Sequence, residues 1–230
     1  VSAQLSGGVT NIVVGGQFAS AAGGNILRRQ LNGEADGTFT PPVFDNYIND
    51  IQVQSADGKL VVGGGFTTFN NQARNRVARM SNAGVLDAGI NFGVGADNFI
   101  SAATVLTDGR IILGGGFSTF NGIGRNFIAR LNANGTLDNT FDPGTGANGP
   151  VFAVAVQSDG KIVMGGDFTS VNGFALTNLA RLNADGSVDT SFTIGTGANS
   201  TVRSILLQSD GKILMAGSFT NYAGSAVGRV

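Results

Sequence analysis

The sequence predicts an all-β fold, a β-propeller of four-stranded antiparallel blades with about four and a half blades in this chain. Three observations carry that prediction. The stretch Val151–Asn199 recurs along the chain: with Phe168 as anchor, the copies fall on Phe18, Phe66, Phe117 and Phe219, spaced 48, 51, 51 and 51 residues. A fixed period in this range marks a repeat architecture. Within each copy, apolar residues alternate over short segments, the period of a strand. Four such segments in a unit of about 40–50 residues match one propeller blade.

The elements follow in order through the fourth copy. Val151–Gln157 places Phe152, Val154 and Val156 at alternate positions and reads as the first strand. Ser158-Asp159-Gly160 is a turn whose glycine can take a positive φ. Lys161–Phe168, β-branched and glycine-rich, is the second strand, Thr169–Thr177 a longer polar loop, and Asn178–Asn183 the third strand. Ala184-Asp185-Gly186 turns the chain into a fourth strand, Ser187–Phe192, and the tail Thr193–Asn199 leads to the next copy. The units are 1–42, 43–98, 99–149, 150–200 and an incomplete 201–230, one propeller domain or a fragment of a larger one.

The second turn sets a register. A three-residue loop closed by a left-handed glycine places Leu182 opposite Val188 and Arg181 opposite Asp189. The same register pairs Leu131 with Leu137 and Arg130 with Asp138, and Met80 with Leu86 and Arg79 with Asp87. In the first copy Asn32-Gly33 suits a two-residue turn, which puts Arg29 opposite Asp36. These are expected to be structural ion pairs that pin register, worth up to about 1 kcal/mol each. Repetition argues against a catalytic role.

The copies differ in quality. Ser6-Gly7-Gly8 and Thr10-Asn11 replace the Ser-Asp-Gly-Lys turn in the first, and the second inserts Ala56 into its turn, which reads as a bulge. Val1 aligns with Val151 and Val230 with Leu179, giving five first hairpins but four second ones. An unfinished blade exposes a sheet edge, so the last blade is expected to be completed by missing sequence or another chain.

Composition excludes several classes. Charged residues make up 13% with a net charge of -1, without the basic balance of a nucleic-acid binder. No window approaches the length of a membrane span. Cysteine is absent, which removes disulfides and Cys metal sites. Histidine is absent too, which removes His-based triads and His metal sites. Neither enzyme activity nor a cofactor is expected.

The strings QSDGKIVMGGDF, ARLNADGSVDTSF and GTGAN resemble the delta-60 repeat, a bacterial β-propeller family. The resemblance spans essentially the whole chain, closely from Val43 onward. It implies an extracellular or cell-surface propeller, often part of a longer secreted chain and sometimes joined to a sorting domain for type IX secretion. It carries no catalytic residues.

Two motifs invite chemical readings and fail them. Gly63-Gly64-Gly65 and Gly114-Gly115-Gly116 could suggest phosphate cradles, but neither is followed by Lys-Ser/Thr or a helix. Close backbone approach or a bulge explains them better. Asn183–Asp189 has spaced oxygens like a calcium loop, yet the matching turns lose the charge at Asn134 and Ala83, so turn formation explains it.

The long loops hold the candidate partner face: Phe69, Asn70 and Arg74; Phe120, Asn121 and Arg125; Asn172 and Phe174; and Tyr222. Aromatics for stacking and Asn or Arg for hydrogen bonds suit a protein partner or a glycan. The competing reading is that these aromatics cover the blade ends and the Asn-Gly pairs turn the chain. Phe69 and Phe120 are matched by Val171, Tyr222 and Ser20, and that variation favours a protein-interaction or adhesion scaffold over a lectin-like propeller with one glycan site per blade.

Overall fold

The structure, a computed structural model, describes residues 2–6, 9–18 and 25–228. Among them every regular element is a strand. Ser20, Val1, Val230 and the Gly7-Gly8 turn lie outside the described residues.

Each blade body is an antiparallel meander. Val151–Val156 pairs with Ile162–Gly166, which pairs with Leu179–Leu182. The same order joins Ile48–Val53, Leu60–Gly64 and Val77–Met80, then Ile100–Val105, Ile111–Gly115 and Ile128–Leu131. The first blade is Ser2–Ser6, Val9–Gly15 and Ile26–Gln30, and the last is the pair Val202–Leu207 and Ile213–Gly217. The middle strands of the three central blades are buried throughout, which their continuous apolar runs anticipate.

The fourth segment of each complete blade pairs through one bridge: Met80 to Leu86, Leu131 to Leu137, Leu182 to Val188. It goes no further because the following aspartate closes a turn. Asp189 Oδ1 accepts from the amide and hydroxyl of Ser191, and its carbonyl accepts from the Phe192 amide.

Two expectations for the first copies need correction. The Asp36 amide donates to the Arg28 carbonyl and Arg28, not Arg29, holds Asp36; Arg29 is exposed and bridges Ala35. The turn keeps three residues with Gly33 at φ 87, like Gly84 and Gly135, so the missing residues lie upstream, between Phe18 and Ile26. Adjacent strand residues face opposite sides, so a one-residue slip exchanges the buried arginine for the exposed one. The inserted Ala56 makes no bulge: the Gly58 amide reaches the Gln54 carbonyl and the turn absorbs the extra residue. The first hairpin also differs from its copies, since Ser2 pairs with Val13 whereas Val151 pairs with Gly166.

The core lies between blades. Val61 and Val77 pack with Ile100, Ile111 and Phe117; Ile112 and Ile128 with Val151, Ile162 and Phe168; Val163 and Leu179 with Ile205 and Ile213. Burying each such side chain contributes roughly 1.5–3 kcal/mol. Glycine makes the approach possible. A Cβ at Gly63, Gly114 or Gly165 would meet Ile100, Val151 or Val202 of the next blade at 2.6, 2.8 and 2.5 Å. The following glycine admits the blade's own first strand: a Cβ at Gly64, Gly115 or Gly166 would lie 2.2, 2.2 and 2.1 Å from the carbonyl oxygens of Tyr47, Phe99 and Pro150. The glycine runs are therefore packing devices, and the first strands do carry bulges opposite them. On the last blade the covering neighbour is missing among the described residues: Leu214 is 50% exposed, against 0–1% for Val61, Ile112 and Val163.

Candidate functional site

The fold takes up part of the predicted loop face. Each long loop forms a two-residue hairpin, Thr68–Phe69 with Gln72–Ala73 in the second blade, Thr119–Phe120 with Ile123–Gly124 in the third, Ser170–Val171 with Phe174–Ala175 in the fourth and Asn221–Tyr222 with Ser225–Ala226 in the last. Phe69 and Phe120 are buried and bridge Phe44 and Ala96 in the connection from the preceding blade; Val171 and Tyr222 bridge Ala147 and Ala198. Phe69 and Phe120 cannot stack on a ligand, whereas Tyr222 is half-buried and lines a hollow of about 270 Å³ with Met215 and Phe219. Asn70, Asn121 and Asn172 take positive φ, 47, 53 and 46°, and accept amides of that connection from Val43, Gly95 and Thr145. Arg74 and Arg125 bend back to the carbonyls of Ala73 and Gly124. Phe174 alone among the aromatics is exposed, at 47%. Asn70, Gln72 and Arg74 line a hollow of about 420 Å³ in the second blade with Thr40, Gly84 and Leu86.

The arginine–aspartate pairs hold more than register. Arg28–Asp36, Arg130–Asp138 and Arg181–Asp189 are 2.7 Å apart and Arg79–Asp87 2.8 Å, with little side-chain exposure. Arg28 and Arg130 also reach the turn carbonyls of the next blade at Asn82 and Ala184, and Arg79 reaches Ala133 at 3.4 Å. A second cation from the first turn joins the aspartate: Lys59 to Asp87 at 3.1 Å and Lys161 to Asp189 at 2.8 Å. The Ser-Asp-Gly-Lys motif was the available signal for it. Thr38's hydrogen bonds, with Arg28, hold the Asp36 carboxyl below its usual range. Burial pulls Asp138 upward, but Thr140 and Arg130 outweigh it and the group sits low. Lys161, Ser191 and Arg181 lower Asp189 strongly. Carboxylates with depressed folded values stabilise the protein above the unfolded value of 3.8 and lose that contribution as pH falls through the folded value. A plot of Tm against pH should drop below about 4, where these carboxylates protonate; a Tm that holds or rises below that pH contradicts this assignment.

A different surface remains open. The first strands of neighbouring blades stand side by side and line two adjoining hollows of about 510 and 530 Å³, which share Asn49, Ser101, Phe152 and Arg203. These four occupy one repeated position, the residue after Ile48, Ile100, Val151 and Val202. Side chains tie the strands together: Asn49 Nδ2 donates to the Ile100 carbonyl at 2.9 Å, the Ala103 amide to Asp50 Oδ2 at 2.7 Å, and Thr104 Oγ1 to the Val154 carbonyl at 3.2 Å. Burial raises the Asp50 carboxyl, against the Ala103 amide and Gln52, which favour its charge. The Arg203 guanidinium lies 5.5 Å from the Phe152 ring centroid. Sequence reasoning missed this groove. The signal was the fourfold divergence at a position whose preceding residue is β-branched in every copy.

The sequence pattern of the family described as "Domain of unknown function (DUF5122) beta-propeller" matches residues 55–89, 106–141, 157–192 and 208–230, more than half of the chain. No curated protein matches. Among solved structures, the chain is similar to the extracellular domain of the putative one component system BT4673 from B. thetaiotaomicron, at 15% identity and TM-score 0.54, over 93% of this chain and 25% of that one. A second structure, described as the extracellular domain of the putative hybrid two component system BT4673, aligns at 15% identity and TM-score 0.27 over 90% of this chain and 25% of that one, and carries no argument. The chain thus spans about a quarter of the structures it matches, and at this identity the likeness shows the fold alone. Repeat period, blade order and family match agree: the chain belongs to the DUF5122 β-propeller family.

Proposed function

We propose that this chain is a non-enzymatic, extracellular binding module of a larger secreted or surface-anchored bacterial protein, and that its recognition surface is the groove between the first strands. One observation carries the reading. Asn49, Ser101, Phe152 and Arg203 differ in size, polarity and charge at a single repeated position, whereas the Arg–Asp pairs and the glycines Gly64, Gly115, Gly166 and Gly217 keep their chemistry. Packing does not fix the residue at this partly exposed position, which leaves it open to recognition, and a groove of about 500 Å³ falls in the range of ligand sites. An extracellular setting is supported by the structural neighbour, itself an extracellular domain, and the lack of histidine supports a binding rather than a catalytic role. A lectin of one shallow site per blade loses its support, because Phe69 and Phe120 are buried.

The chain has no cysteine, so single thiols can be placed and capped selectively. Ser204→Cys, in the groove, and Ser225→Cys, on a hairpin tip, would each be capped with a bulky maleimide. A thermal-shift panel of organic acids, amines and oligosaccharides is expected to return binders that the Ser204→Cys cap abolishes and the Ser225→Cys cap leaves intact. The reverse pattern would sink the reading.

A further inference from the structure

The groove carries one cation, Arg203. Arg203 is exposed and makes no ion pair among the described residues; its contact is the face of Phe152. The repeated arginines Arg28, Arg79, Arg130 and Arg181 each hold an aspartate, so Arg203 stands apart from the scheme that fixes the blades. A guanidinium laid on an aromatic ring keeps its N–H edge free and is held in place for a bidentate bond to a carboxylate. Around it stand amide and hydroxyl groups, Asn49, Gln52, Ser101 and Thr104. Asp50 is the one carboxylate among the lining residues, and it is already bonded by the Ala103 and Ile51 amides and by Gln52.

Resting on the proposed binding role of this groove, we propose that its ligand is an acidic saccharide, with a uronic-acid carboxylate on Arg203 and ring hydroxyls on the neighbouring amide and hydroxyl side chains. The lining favours a saccharide over an acidic peptide. A peptide strand would need a run of unpaired backbone groups on the first strands. The Ile100 carbonyl, the Ala103 amide and the Val154 carbonyl are already engaged by Asn49, Asp50 and Thr104. A hydroxyl-rich ring asks instead for scattered side-chain donors and acceptors, which Asn49, Gln52, Ser101 and Thr104 supply.

The test uses isothermal titration of the whole chain with uronic-acid oligosaccharides, neutral glucose oligosaccharides of equal length, inorganic sulfate and an acidic peptide. The wild type is compared with Arg203→Met, which keeps length and packing, and with Arg203→Lys, which keeps charge without the fork. The expected result is binding of the uronic-acid oligosaccharide, weakened about tenfold or more in Arg203→Met and partly restored in Arg203→Lys, with the neutral oligosaccharide about tenfold weaker. Equal binding of acidic and neutral saccharides, insensitive to Arg203→Met, would overturn the carboxylate assignment and leave the groove as a binding surface. Sulfate matching the saccharide, or the peptide exceeding it, would overturn the saccharide assignment. No saccharide binding, with other binders still displaced by the Ser204→Cys cap, would overturn this inference alone; loss of that displacement would overturn the groove reading as well.

Discussion

Replacing Gly115 with alanine is expected to destabilise the protein by about 3 kcal/mol or more, at the upper end of overpacking effects. The added Cβ would lie 2.2 Å from the Phe99 carbonyl oxygen and 2.9 Å from the Ile100 Cα. Both are backbone atoms of the same blade, and neither can rotate away. The Phe99 carbonyl also accepts the Gly116 amide, so moving it breaks the bond that closes the strand pair. Gly124→Ala is the matched control: nothing lies within 4 Å of its Cβ, and a change within about 0.5 kcal/mol is expected. Urea denaturation of the two variants gives the comparison, and equal midpoints would refute the packing role of the glycine run.

The second large effect is expected at Arg130. Its Nε meets Asp138 at 2.7 Å with side-chain exposures of 5% and 6%, its second nitrogen meets Thr140 at 3.1 Å, and its plane lies 5.0 Å from the Phe141 ring centroid. The bond to the Ala184 carbonyl carries it across to the next blade. Arg130→Met leaves Asp138 buried with Thr140 and a distant Arg110 at 3.8 Å, and the expected loss is about 3 kcal/mol, the cost of stranding a buried charge. Register pairs on a solvated sheet would lose only about 1 kcal/mol, so the measured value separates a blade-to-blade lock from a surface pair. Arg29→Met, at an exposed position in the first copy, is expected to change stability by about 0.5 kcal/mol or less.

Much of this architecture was legible because the chemistry that sets it is local. A left-handed glycine in a three-residue turn fixes which residues oppose each other, so Leu182 with Val188 and Arg181 with Asp189 could be read directly. The first copy misled because its deletion was assigned to that turn. Phe18 to Arg28 is shorter than Phe168 to Arg181, while Arg28, Arg79, Arg130 and Arg181 keep a constant spacing, and anchoring on arginine would have placed the gap in the loop. The burial of Phe69 and Phe120 was missed for a different reason. A loop phenylalanine reads alike whether it faces solvent or a covering segment, and the segment that covers Phe69 is Phe44, from the connection before the blade. The groove was hidden because its walls are single residues contributed by four copies. Only the closeness of their strands in space makes them one surface.

Each blade seats the start of its first strand on a glycine of the blade before it, and this contact sets the groove walls. A double-mutant cycle at Gly165 and Val202 measures that contact. A Cβ on residue 165 would stand 2.5 Å from Val202 Cγ1, so Gly165→Ala should destabilise by overpacking and Val202→Ala by lost burial. Combined, they should cost less than their sum by about 1 kcal/mol or more, because the truncated valine makes room for the new methyl. Additivity within about 0.5 kcal/mol would mean the two residues do not meet, and the blades are not seated as described.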